Sequence, residues 1–108
     1  MAVQNQSAAF DVSAATTTAV VAAVEGKKIS VLNYGLYNGV ATGNSVQFKS
    51  GSTNLTGVIQ LPLAVGGGHN LTSGSGDVAL FTTAAGAALN ITTTAATQVG
   101  GHVAFKYV

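Results

Sequence analysis

The side chains that could act as acids, bases or ligands near neutral pH are few: Asp11, Glu25, Asp77, His69 and His102. General acid–base catalysis needs such groups held together within hydrogen-bond reach of a substrate. No spacing here brings two acids together in sequence. Asp11 alternates with Phe10 and Val12 in "SAAFDVSA", which turns its carboxylate to the outer side of a strand. No serine sits in a G-x-S-x-G elbow, the local mark of an activated hydroxyl. The chain has no cysteine, hence no disulfide framework, thiolate nucleophile or thiolate metal site. These residues predict a protein that is not an enzyme.

The stretch "GGGHN" comes nearest to a ligand site, because a glycine run lets the backbone approach closely and His69 is a common type of metal ligand. One histidine does not hold a metal, and His102 is the only other imidazole. "SGSGD" occurs once, with the wrong spacing for calcium-binding glycine–aspartate repeats. We therefore expect no metal and no cofactor, and read residues 66–76 as an irregular, mobile loop. Its tip, His69 and Asn70, would be solvated or touch a neighbouring subunit. Tyr34 and Tyr37 flank Gly35 and Leu36 and face opposite sides of a strand, so at most one of them serves an exposed surface. Together with Phe10, these residues make the candidate interface set: Phe10, Tyr34, Tyr37, His69 and Asn70. Four N-x-[ST] triplets, at Asn5, Asn54, Asn70 and Asn90, are what a chain rich in Asn and Thr yields by composition.

Charge is the informative quantity. Only 6% of residues are charged, against about 25% in an average soluble domain. A folded monomer of this mass exposes roughly 5,500 Å². Its four lysines and three acids then leave about one charge per 800 Å², one partner's share of a standard interface. A net charge of +1 adds little repulsion between copies. The chain reads as a subunit that packs on itself or on a scaffold. Its cations, Lys27, Lys28, Lys49 and Lys106, include one adjacent pair and no arginine, which excludes phosphate-backbone recognition and anionic membranes. The longest apolar run, "AVVAAV", is too short to span a bilayer, and "MAVQNQSAAFDV" lacks the pattern of a signal peptide.

Strand-like segments at short, even spacing must position whatever these residues do. "TTTAVVAAV" is β-branched at its start, and "EGKK" reads as a turn. "KISVLNYGLYNG" changes phase between Val31 and Leu32, which predicts a bulge or a strand covered on both faces. "SVQFKSGSTNLTGVIQL" predicts a hairpin whose loop is residues 50–54, closed near the sole proline, Pro62. "DVALFTT", "AALNITTT" and "QVGGHVAFKYV" follow as strands, the last with Val99, Val103, Phe105 and Tyr107 on one face. About eight strands and no amphipathic helix predict an all-β, single-domain β-sandwich, with the eight-stranded jelly roll leading. Residues 1–14 would be an N-terminal arm or first strand, and residues 15–108 the sandwich domain.

"EGKKISVLNYGL", "VQFKSGSTNLTGVIQLPLAVGG" and "FTTAAGAALNITTTAATQVGGHVAFKYV" together resemble a group of small tailed-bacteriophage virion proteins. The resemblance covers residues 25–108 and rests on turn and strand motifs. It brings no catalytic residues. It implies a β-sandwich built into the virion as a capsid decoration, or cement, protein on the capsid exterior, made in the host cytoplasm. The implied partners are the chain itself, as a homotrimer, and the major capsid protein, with no nucleic acid and no membrane. The alternative is a host-recognition or glycan-binding knob on the phage tail or head.

Overall fold

A computed structural model of the chain describes residues 6–61, 65, 67–72 and 79–108. Ten strand segments are present among them: β1 (Gln6–Val12), β2 (Thr17–Val21), β3 (Ile29–Asn38), β4 (Ser45–Ser50), β5 (Thr53–Asn54), β6 (Ile59–Gln60), β7 (Gly68–Thr72), β8 (Phe81–Thr82), β9 (Leu89–Thr93) and β10 (Val99–Tyr107). They form two five-stranded antiparallel sheets. The first runs β1-β10-β3-β7 with β8 also on β3, and the second runs β2-β9-β4-β5 with β6 also on β4. The protein is a β-sandwich, as the strand spacing predicts.

Period-2 alternation decides which side chains meet between the sheets. Ile29, Val31, Leu36, Val46, Phe48, Leu89, Ile91, Val99 and Val103 are fully buried. Tyr34, Phe48 and Phe81 stack as a tilted trio, with ring centroids 4.9 Å apart for the first pair and 5.1 Å for Phe48 and Phe81. The phase change in β3 is a bulge. Val31 pairs with Phe105 and Asn33 with Ala104, so Leu32 is the extra residue and the inward set moves from Ile29 and Val31 to Tyr34 and Leu36. Residues 6–12 pair with β10 along their whole length, from Gln6–Phe105 to Val12–Val99.

Two expectations change. The hairpin turn is tighter than the five-residue loop: Ser50 pairs with Thr53 around Gly51 and Ser52. Gly51 has φ 58°, and glycine ahead of a residue with negative φ is the arrangement of a two-residue type II′ turn. The returning arm is split, because Lys49 pairs with Asn54 but Val46 with Ile59, leaving extra residues between β5 and β6. Thr56 fills that gap, its Oγ1 accepting from Phe48 N at 3.2 Å and its carbonyl from Gln47 Nε2 at 2.9 Å. The second change concerns residues 66–76. Gly68–Thr72 is a strand, paired with β3 from Tyr37–Gly68 to Asn33–Thr72. The open edge of β3 supplies hydrogen bonds that outweigh the weak strand preference of "GHN". Gly66 and residues 73–76, with Pro62 and Asp77, lie outside the described residues.

Candidate functional site

The outward face of the first sheet carries the unusual chemistry. Registered pairs place Ala9, His102, Gly35 and Asn70 in one row across β1, β10, β3 and β7. The next row is Asp11, Gly100, Tyr37 and Gly68. Tyr37 therefore has a glycine on each side. A Cβ on Gly68 would lie 2.7 Å from Tyr37 Cδ1, so the ring lies over that glycine. A Cβ on Gly35 would meet Asn70 Oδ1 at 2.5 Å and His102 Cε1 at 2.7 Å. Only glycine at position 35 lets these side chains lean together above the backbone.

The Tyr37 hydroxyl donates to Asn70 Oδ1 at 3.0 Å. Tyr37 and His102 rings sit 6.4 Å apart with a 32° tilt. Beside them, toward Asn33, is a shallow depression of about 200 Å³ lined by Asn33, Tyr34, Asn70, Leu71 and His102. Such a surface can hydrogen-bond and pack against a neutral molecule, but among the described residues it holds no nucleophile–base pair. Among the described residues, no three His, Asp or Glu side chains gather as a metal site.

The structure distributes the candidate interface residues over three environments. Tyr37 (39% exposed) and Asn70 lie on the outer face and touch each other. Tyr34, a candidate for interface packing by sequence, is a core residue at 4% exposure. Burial raises its pKa above the ordinary tyrosine value. Its hydroxyl meets Nε2 of half-buried His69 at 2.9 Å, so His69 belongs to a strand facing inward and not to a loop tip. His69 pairs with Leu36 and His102 with Gly35, which puts the two imidazoles on opposite faces of the sheet. Phe10 is half-buried and packs against Gly101, whose Cβ would lie 2.7 Å from its Cζ.

Sequence reasoning missed Asn33 and the role of Gly35. The faint signal was the glycine inside a strand pattern, which often marks a close approach. It also missed the polarity of the surface. Gly86 N donates to Lys27 O (2.8 Å), Gly51 N to Ala88 O (3.0 Å) and Ala84 N to Ser50 Oγ (2.9 Å), tying three turns into one end of the sandwich. Glu25, Lys27 and Lys28 sit in that end, with Lys49 beside the Gly51 turn and Lys106 paired to Ser30 at the start of β3. The opposite end is made by residues 13–16, 39–44, 61, 65, 67 and 94–98. There Thr93 Oγ1 donates to Ala14 O at 2.7 Å, Gly39 N to Gln98 O at 3.0 Å, and Asn44 joins residues 94–97. Its described residues carry no charge, and Asp11, bonded to Gln98, is the nearest acid among them. Exposed there are Ala15, Ala41, Ala96 and, at 72%, Val65.

No family model matches the chain, and no curated protein matches its sequence. Among solved structures, a subunit of Bacillus endospore appendages, a family of disulfide-linked pili, is similar at 18% identity. The match covers 97% of this chain and 86% of that one, with a TM-score of 0.52. At that identity the likeness establishes the fold. With no cysteine, this chain cannot form the disulfide links of those pili. A chain of the virus-like particle of extra small virus from the giant freshwater prawn Macrobrachium rosenbergii matches at 12% identity. That match covers 99% of this chain and 80% of the other, with a TM-score of 0.46.

Proposed function

We propose that this protein is a structural subunit of a virion, a capsid decoration or cement protein that packs as a homotrimer on the outside of a phage head against the major capsid protein. The carrying observation is the surface: 5460 Å² with seven charges in the whole chain, five of the described ones gathered at one end. The uncharged, alanine-rich end is the one we assign to the shell. Burying it requires no ion to lose its hydration, whereas burying the lysine end would. The sequence resemblance to small phage virion proteins supports the reading, and so does the winding of the chain. With β5 and β6 counted as one interrupted strand on β4, and β7 and β8 as one on β3, β1 pairs with β10, β2 with β9, β3 with β7 and β4 with β5, as a double ribbon rolled into two sheets would. We infer from this order that the sandwich is a jelly roll. Phe10 and His69 remain proposed contacts between subunits, whereas Tyr37 and Asn70, on the outer face, are left open to a ligand.

The test is co-sedimentation of the purified chain with empty phage shells, alongside light scattering over a range of concentrations. The expected result is a trimer that saturates the shell. Ala41→Glu and Ala96→Glu should abolish shell binding, while Lys27→Glu with Lys28→Glu should preserve it. A monomer at every concentration that ignores shells would overturn the proposal. The alternative, a host-recognition or glycan-binding knob, has the polar depression beside Asn70 in its favour. Copy number separates the two: hundreds per particle for a cement subunit, a handful for a knob.

A further inference from the structure

We propose that the depression between Asn33, Asn70 and His102 on the outward face of the first sheet is a binding site for a neutral saccharide. The site stands whichever of the two roles the subunit has.

Two amides and an imidazole surround the depression. Each offers both donor and acceptor capacity, the combination that sugar hydroxyls match because they too donate and accept. Among the described residues, the His102 ring makes no hydrogen bond, and the Asn70 side chain spends only its Oδ1, on the Tyr37 hydroxyl. That bond sets the amide's orientation and leaves Nδ2 as the donor for a ligand. Tyr37 is thus a positioning residue, its ring lying over Gly68.

Charge decides the ligand class. Asn33 pairs with Ala104, and Lys106 comes two residues further along β10 toward the lysine end; Asp11 lies in the row beyond Ala9. Among the described residues no charged side chain lines the depression, so a phosphate or carboxylate would be desolvated there without a counter-ion. An uncharged polyol meets no such cost. About 200 Å³ is the scale of one ring in an open site. The polar groups stand on three paired strands, the rigid kind of support that holds a recognition geometry.

The test is NMR titration of the isotope-labelled 108-residue chain with glucose, galactose and N-acetylglucosamine, and with their β-linked tetramers. At least one sugar should shift the side-chain amides of Asn33 and Asn70 and the His102 ring, saturably. Asn70→Ala and Asn33→Ala should weaken that binding about tenfold, the loss expected for one or two hydrogen bonds. Tyr37→Phe keeps the ring and should weaken binding while leaving the thermal midpoint unchanged. Thr92→Ala, on the second sheet, should change nothing. Sugars that shift none of these atoms, or shift them equally in Asn70→Ala, would overturn the site. So would the same shifts on simple dilution, which would make this face a contact between copies, or equal shifts with acetate or inorganic phosphate. Failure here leaves the shell-binding result untouched, because the two are read on different partners.

Discussion

The Tyr34 hydroxyl and His69 Nε2 are 2.9 Å apart, a diagonal pair that ties the aromatic core to the edge strand β7. Tyr34→Phe keeps the ring against Phe48 and Phe81 but removes this bond. The expected loss is about 1 kcal/mol in urea unfolding. Amide exchange should quicken first in β7, whose backbone leans on β3 alone among the described strands. Uniform acceleration across the first sheet would argue against the tie.

The same residue sets an alkaline limit. Burial holds the Tyr34 pKa above 10.0, whereas in the unfolded chain it ionises near that value. The folded state therefore keeps a proton that the unfolded state releases. The contribution of Tyr34 is complete below pH 10 and is lost as pH rises toward the folded value. Thermal midpoints between about pH 8 and 11 should fall more steeply for the wild type than for Tyr34→Phe. Parallel curves would contradict the assignment.

Asn44 organises the uncharged end. Its Nδ2 donates to Ala95 O (3.1 Å) and to Thr97 O and Oγ1 (3.3 and 3.0 Å). Its Oδ1 accepts from the amides of Ser45 (2.8 Å), Thr94 (3.3 Å) and Ala95 (3.1 Å). Asn44→Ala strands several of these groups in a residue environment that is 3% exposed. Roughly 3 kcal/mol should be lost, read as a lower denaturant midpoint at unchanged m.

Glycines separate by what surrounds them. Gly101→Ala would drive a Cβ into the Gly35 carbonyl and the Phe10 ring, for a loss of about 2 kcal/mol. Gly51→Ala, at positive φ, should lose about 1 kcal/mol through backbone strain alone. Gly57→Ala has open space and no positive φ, and should be neutral or slightly stabilising. Equal effects in all three, by calorimetry, would mean that space and φ do not govern these positions.

Where a segment alternates cleanly, the sequence is enough to read it: β1, β9 and β10 follow from Phe10 and Val12, Leu89 and Ile91, Val103 and Phe105. The bulge at Leu32 shows as a phase change because the core accepts only one side of β3. Strand β7 was not legible, since Gly68, His69 and Asn70 have no intrinsic strand preference and pair because β3 offers an edge. The Asn33–Asn70–His102 cluster was equally hidden, as its members come from three strands whose register no local pattern specifies. The lysine end was obscured for the same reason. Lys49 and Lys106 are far from Lys27 in sequence and meet its turn only through the winding of the sheets.

The pairing of β1 with β10, and of β10 with β3, has a consequence for the order of events in synthesis. The strand that joins β1 to β3 leaves the ribosome after both of them. Until residues 99–107 emerge, β1 and β3 have no common neighbour, and their edges stay open to other nascent chains. A nonsense codon before residue 99 should therefore yield aggregate instead of a shortened subunit.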